Sequence, residues 1–165
     1  MTKRLHLRET IRKQKRGGIG GNNGRAEKYP SNTRCPKCGL VYQDGVWKQG
    51  VSTGKHMQLE KLCPACFQIR EGWIGGIVQC SGAFADSHRR ELLARIRNVE
   101  RQTQEERPLE RIIRMKENRK GIEVLTTTEH LVARIAKSIH RDFGGELELR
   151  YAPEDKFAFA HWHRE

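Results

Sequence analysis

Cys35-Pro-Lys-Cys38-Gly and Cys63-Pro-Ala-Cys66 are the residues of this chain whose type and spacing most directly imply chemistry. Two C-x-x-C pairs with 24 residues between them can direct four thiolates at one centre. Each tight turn aims two sulfurs at the same point, and the intervening loop needs little order. The pattern predicts a zinc ribbon in which Cys35, Cys38, Cys63 and Cys66 bind one structural Zn²⁺. Four sulfurs leave no open coordination position, so the metal is expected to hold the fold and not to catalyse a reaction.

Competing chemistries are weaker. A thiol oxidoreductase would place Cys63-Pro-Ala-Cys66 at a strand-to-helix junction, whereas Phe67-Gln68-Ile69-Arg70 soon runs into Gly72, Gly75 and Gly76, and a second C-x-x-C competes for the role. His88-x-x-Glu91 places an imidazole and a carboxylate on one helical turn, which solvated polar residues explain as well. His161 and His163 share one face of a strand but lack a third metal ligand. There is no Walker loop, dinucleotide fingerprint, G-x-S-x-G elbow or carboxylate pair. The expectation is a protein that is not an enzyme and has no small-molecule substrate.

The elements that must position these residues divide the chain at 1–34, 35–76 and 77–165. Residues 1–34 hold ten Lys or Arg against Glu9 and Glu27, and Gly17 to Gly24 is too glycine-rich to order itself, so a disordered basic arm is expected. Residues 35–76 form the ribbon. Leu40-Val41-Tyr42 and Gly45-Val46-Trp47 predict a hairpin above the metal, the surplus length falls in a loop around Gly50 to His56, and Tyr42 and Trp47 are expected to cover a small core.

Residues 77–165 form an α+β domain. Cys80 falls in a strand. From Asp86 and Ser87, the expected caps, Leu92, Leu93, Ile96 and Val99 recur at helical spacing. Arg107-Pro108 ends that helix, and Leu109, Ile112 and Ile113 predict a shorter one stopped by Gly121. Ile122 to Leu125 reads as a strand and Thr126-Thr127-Thr128-Glu129 as a capping box. Val132, Ile135, Ala136, Ile139 and Phe143 stripe the next helix, and two strands close the chain. The predicted fold is α+β: a four-cysteine zinc ribbon followed by a small, mostly antiparallel sheet with helices on one face.

Charge indicates the partner. A net charge of +12 on 165 residues is the electrostatic signature of a chain that meets a polyanion, and nucleic acid is the first candidate. The expected contacts are Arg12, Lys13, Lys15 and Arg16 of the arm, Lys37 of the first knuckle, and two helix faces carrying Arg90, Arg97 and Arg101 and then Arg134, Lys137 and Arg141. No apolar run is long enough to span a bilayer, Met1-Thr2-Lys3-Arg4 leads into no apolar core, and paired cysteines suit a reducing compartment. A cytoplasmic protein with no membrane partner is expected.

The runs CPKCGLVYQDGVW, CPACFQIREGW, IVQCSG, HRRELLARIRNVE and TTTEHLVARIAKSI resemble the short bacterial proteins described as affecting ribosome stability and mRNA decay. These in turn are similar to the zinc-bearing portion of the Nmd-three family, adaptors of the large ribosomal subunit. The similarity to the short bacterial group covers most of residues 35–165; this chain has two C-x-x-C pairs where the adaptors have more, and it lacks their further domains. The resemblance implies zinc ligation by Cys35, Cys38, Cys63 and Cys66 and contact with the ribosome, above all its large subunit. The expected function is therefore a zinc-stabilised RNA-binding protein on ribosomal RNA. The alternative is a zinc-ribbon DNA-binding transcriptional regulator, for which no helix-turn-helix is recognisable.

Overall fold

The computed structural model describes residues 29–50 and 59–165. The arm positions Arg12, Lys13, Lys15 and Arg16, and most of the loop expected around Gly50 to His56, lie outside the described residues.

The ribbon starts before its first cysteine. Strands β1 (Thr33–Arg34), β2 (Val41–Gln43) and β3 (Val46–Lys48) form an antiparallel sheet in that order, with Tyr42 opposite both Thr33 and Trp47. The β2–β3 turn is Asp44-Gly45, both at positive φ, as a tight hairpin between right-twisted strands requires. Trp47 is buried and meets Tyr29 edge-on at 4.9 Å and Tyr42 at 5.5 Å, so these aromatics close the small core over the cysteines.

Helix α1 (Pro64–Glu71) then grows directly from the second knuckle, with Pro64 at its first position and Gly72 ending it at φ 70°. This helix departs from the sequence expectation, in which the glycines follow too closely for one. Eight residues fit before Gly72, and the glycine serves as its left-handed cap.

Past Gly75 the chain enters the α+β domain: β4 (Gly76–Ser81), α2 (Ala83–Ser87), α3 (Arg89–Glu106), β5 (Ile112–Asn118), β6 (Gly121–Thr126), α4 (Glu129–Phe143), β7 (Glu146–Ala152) and β8 (Phe157–His163). The strands lie in the order β5-β6-β4-β8-β7, all neighbours antiparallel except β4 and β8. One sheet face carries Val78, Cys80, Ile122, Val124, Ala158, Ala160 and Trp162. Against it pack Leu92, Ile96 and Val99 of α3 and Leu131, Val132, Ile135, Ala136 and Ile139 of α4. Both long helices thus lie on one face, as their 3.6-residue apolar stripes require. The opposite face holds a smaller cluster of Ile77, Leu125 and Phe157 with Ile74.

Three local expectations are corrected. The short helix after Pro108 is instead strand β5, paired with β6 through the turn at Arg119-Lys120. Ile112 and Met115 face the main core and Ile113 the smaller one, across a register shift between Ile112 and Arg114 that masks the period-two alternation. Gly121 accordingly stops no helix. It sits at φ +120°, where an added Cβ would lie 1.9 Å from the Cys80 carbonyl oxygen. The first long helix also begins later than Asp86 and Ser87: these close the short α2, and α3 starts at Arg89 with no side-chain cap. Finally, Thr128 and not Thr126 caps α4, its hydroxyl accepting from Leu131 N at 3.2 Å, which leaves Thr126 and Thr127 free for other bonds.

Candidate metal centre and basic cleft

The four knuckle cysteines converge. The Sγ atoms of Cys35, Cys38, Cys63 and Cys66 all lie within 4.8 Å of one another, and the Cys38–Cys63 sulfurs are 3.7 Å apart. A tetrahedral shell with metal–sulfur bonds of about 2.3 Å has edges of about 3.8 Å, whereas a disulfide needs about 2.05 Å. The spacing is therefore that of a cluster able to hold one metal ion.

Local structure explains the aim of each sulfur. Gly39 N donates to Cys35 O at 2.9 Å and Cys35 N to Leu40 O at 2.8 Å, closing the first knuckle around Gly39 at φ 77°. Cys63 is the N-cap of α1, its sulfur accepting from Cys66 N at 3.4 Å, so the helix start itself orients the second pair. Burial opposes ionisation of Cys35, but backbone N–H groups of Cys63, Cys38 and Lys37 outweigh it and bring that thiol down to about 7. Burial pushes Cys66 up to about 11 and Cys63 higher still, and charge on Cys38 adds to both. A bound cation would favour the deprotonated form of buried thiols such as Cys63 and Cys66.

A fifth contact comes from outside the ribbon. Arg111, just before β5, donates from Nη1 to Cys66 Sγ at 3.4 Å. Leu109 packs into the ribbon core, and Gln68 of α1 donates to Thr127 O at 3.1 Å. The cysteine cluster is thereby seated on the α+β domain.

A second concave feature lies between α3 and α4. It encloses about 590 Å³ and is lined by Gln102, Thr103, Glu106 and Arg107 on one side and Arg134, Lys137, Ser138 and Arg141 on the other, over Val99. Four cations thus face one cleft. Glu110 is buried beside it, its carboxylate 3.5 Å from Arg107 Nη1 and 3.6 Å from Arg134 Nε. These are ion pairs without good hydrogen-bond geometry, so they place the two guanidiniums while leaving N–H groups for another acceptor. At the other end Asp142 pairs with Arg141 at 2.8 Å and also with Arg95 of α3, tying the helices together.

The sequence-derived contacts divide accordingly. Arg134, Lys137 and Arg141 meet in the cleft, joined by Arg107, which in the sequence is legible only as a helix break. Arg90, Arg97 and Arg101 are exposed but do not line it; at about 100° per residue they lie on the far side of α3 from Val99 and Thr103. Lys37 is exposed on the first knuckle. Arg111 gave no sequence signal because Cys66 is distant in the chain, and Glu110 gave none because its burial and its pairing with Arg134 come only with the fold.

The residues weighed for other chemistry have local roles. His88 stacks on Phe84 at 3.9 Å, and its Nδ1 lies 2.9 Å from Ser87 Oγ. His161 and His163 both turn onto Ser81 Oγ, at 2.8 and 3.0 Å. Cys80 is buried in β4, and burial pushes its thiol up to about 12. Among the described residues no helix is long and apolar enough to cross a membrane. Comparisons with protein-family models, curated proteins and solved structures find no match.

Proposed function

We propose that this chain is a non-enzymatic, zinc-stabilised RNA-binding protein that associates with the ribosome through large-subunit ribosomal RNA and affects ribosome stability, assembly or mRNA decay. The observation that carries the reading is the cleft between α3 and α4, where Arg107, Arg134, Lys137 and Arg141 converge on a chain of net charge +12. A phosphodiester backbone presents closely spaced negative oxygens, and guanidinium forks accept that geometry well. Exposed Lys37 and the Arg90, Arg97 and Arg101 face of α3 supply further cations on other sides of the molecule. The arm residues Arg12, Lys13, Lys15 and Arg16 add a segment suited to settle on phosphates. The resemblance to the short ribosome-related bacterial proteins narrows the RNA to ribosomal.

Zinc is the metal that an all-thiolate, closed tetrahedral site in a reducing compartment favours, and four sulfurs leave it no catalytic position. Cys35, Cys38, Cys63 and Cys66 would hold it, and its contribution is to the fold.

Sedimentation of lysate at low and at high salt tests the proposal. Co-migration with ribosomal particles at low salt that weakens steeply as salt rises is the expected result, because each phosphate contact releases condensed counterions. Absence from those fractions at low salt contradicts it. Recovery of promoter DNA in place of ribosomal RNA after crosslinking favours the transcriptional regulator instead.

A further inference from the structure

The structure places one cation of the α+β domain against the metal centre. Arg111 is gripped from three directions: its backbone N donates to Thr127 Oγ1 at 2.9 Å, its Nε donates to Pro108 O at 2.8 Å, and its Nη1 donates to Cys66 Sγ at 3.4 Å. The guanidinium is therefore aimed at the sulfur by its own backbone surroundings, and it is not a surface side chain that happens to fall there.

Charge gives the contact its meaning. A divalent ion held by four thiolates leaves two net negative charges, and here three of the four cysteines are buried. Negative charge in such a place is costly unless cations or N–H donors face it. Cys66 N donates to Cys63 Sγ, and Arg111 Nη1 is the donor that reaches Cys66 Sγ itself.

We propose that Arg111 is an outer-sphere residue of the metal centre: its guanidinium N–H bonds to the Cys66 thiolate, stabilises the loaded cluster, and makes metal loading the event that seats the ribbon on the α+β domain. The inference rests on the four cysteines holding a metal ion, and on nothing about RNA.

The joint around Arg111 shows how loading would be transmitted. Thr127 receives both sides: Gln68 of α1 donates to its carbonyl, its hydroxyl donates to Leu109 O at 2.9 Å, and its N donates to Arg111 O at 2.9 Å. Leu109 itself lies in the ribbon core. Without metal the Cys66 sulfur loses its bond to the ion and the Arg111 contact loses the thiolate charge that strengthens it, which leaves Gln68 and Leu109 to join the ribbon to the α+β half. The same short stretch carries Arg107, which lines the cleft, and Glu110, which pairs with Arg107 and Arg134. Seating of the ribbon therefore bears on how two of the cleft's guanidiniums are held.

The test uses the full-length, metal-loaded protein and three variants: Arg111→Met, Arg111→Lys and Arg114→Met. Arg114 is an exposed β5 cation paired with Glu123 and controls for loss of one positive charge. Metal transfer to a chromogenic chelator is timed, and amide exchange is followed at Arg111 and Thr127. Arg111→Met is expected to hold metal roughly 10- to 100-fold less tightly, the range typical of lost outer-sphere partners. Exchange at Thr127 should rise in the same variant, Arg111→Lys should fall between, and Arg114→Met should match the wild type. Equal metal retention by Arg111→Met and Arg114→Met overturns the proposal. If Arg111→Met does not fold, wild-type retention by Arg111→Lys overturns it, since an ammonium cannot reproduce the fork that reaches Pro108 O and Cys66 together. Wild-type protein that purifies without metal removes the metal centre itself, a failure distinct from retained metal that ignores Arg111.

Discussion

Gly121 shows how much a single residue can depend on its surroundings. Its φ of +120° suits glycine alone, and a Cβ there would lie 1.9 Å from Cys80 O, a backbone atom of the neighbouring central strand that cannot move aside. Gly121→Ala is expected to destabilise the α+β domain by about 2–4 kcal/mol, combining strain with a steric clash. Denaturant unfolding checks this, and a midpoint equal to that of the wild type contradicts it. The same scale separates residues that the sequence reveals from those it hides. The clustering of Cys35, Cys38, Cys63 and Cys66 was legible because they come as two local pairs whose spacing is fixed by turn geometry. Arg111 was not, because it reaches Cys66 across 45 residues and nothing near it in sequence marks the contact. Glu110 is hidden for a related reason: Arg107 lies only three residues away, but a glutamate in a charged stretch looks solvated until the fold buries it and brings Arg134 beside it.

Elements with a strong period are legible in the sequence, and the one with a broken period is not. The apolar stripe of α4 and the alternation of β7 and β8 gave type and approximate extent from sequence. Strand β5 did not, because the register shift at Ile112/Arg114 puts Ile112 and Met115 on one face three residues apart, a spacing that also fits a helix. The clustering of basic helix faces was half legible: helical spacing groups Arg134, Lys137 and Arg141, but only the packing of α3 on α4 brings Arg107 to them and turns Arg90, Arg97 and Arg101 away. That packing has an electrostatic tie at Asp142. The Arg141 hydrogen bond, with the charge of Arg95, holds its carboxyl below the usual carboxylate range. A lowered folded pKa stabilises the fold at pH values above the unfolded pKa, and the benefit is lost as the pH falls through the folded value. Asp142→Asn is therefore expected to lower Tm at neutral pH and to flatten the loss of Tm on acidification. A variant whose Tm falls with acid as steeply as the wild type contradicts the tie.

For the whole molecule, the two modules were legible in outline: a four-cysteine ribbon and an α+β domain with helices on one face of its sheet. Their joint was not, since it is built from Leu109, Arg111 and Thr127 meeting α1 through contacts that no local pattern encodes. What unites the molecule is charge. Residues 1–34 carry ten Lys or Arg against two acids, +8 of the net +12, and among the described residues the cleft between α3 and α4 is where cations gather, four of them with Glu106 around a space of about 590 Å³. Central to the proposed function is the binding of RNA phosphates by these cations. Its most direct test is the salt dependence of affinity for ribosomal RNA, measured for the wild type and for an Arg134→Ala, Lys137→Ala double variant. Each lost phosphate contact lowers the slope of log K against log salt by about 1, so the double variant should bind more weakly at low salt with a slope smaller by about 2. A slope unchanged from the wild type would contradict the claim that the cleft binds phosphates.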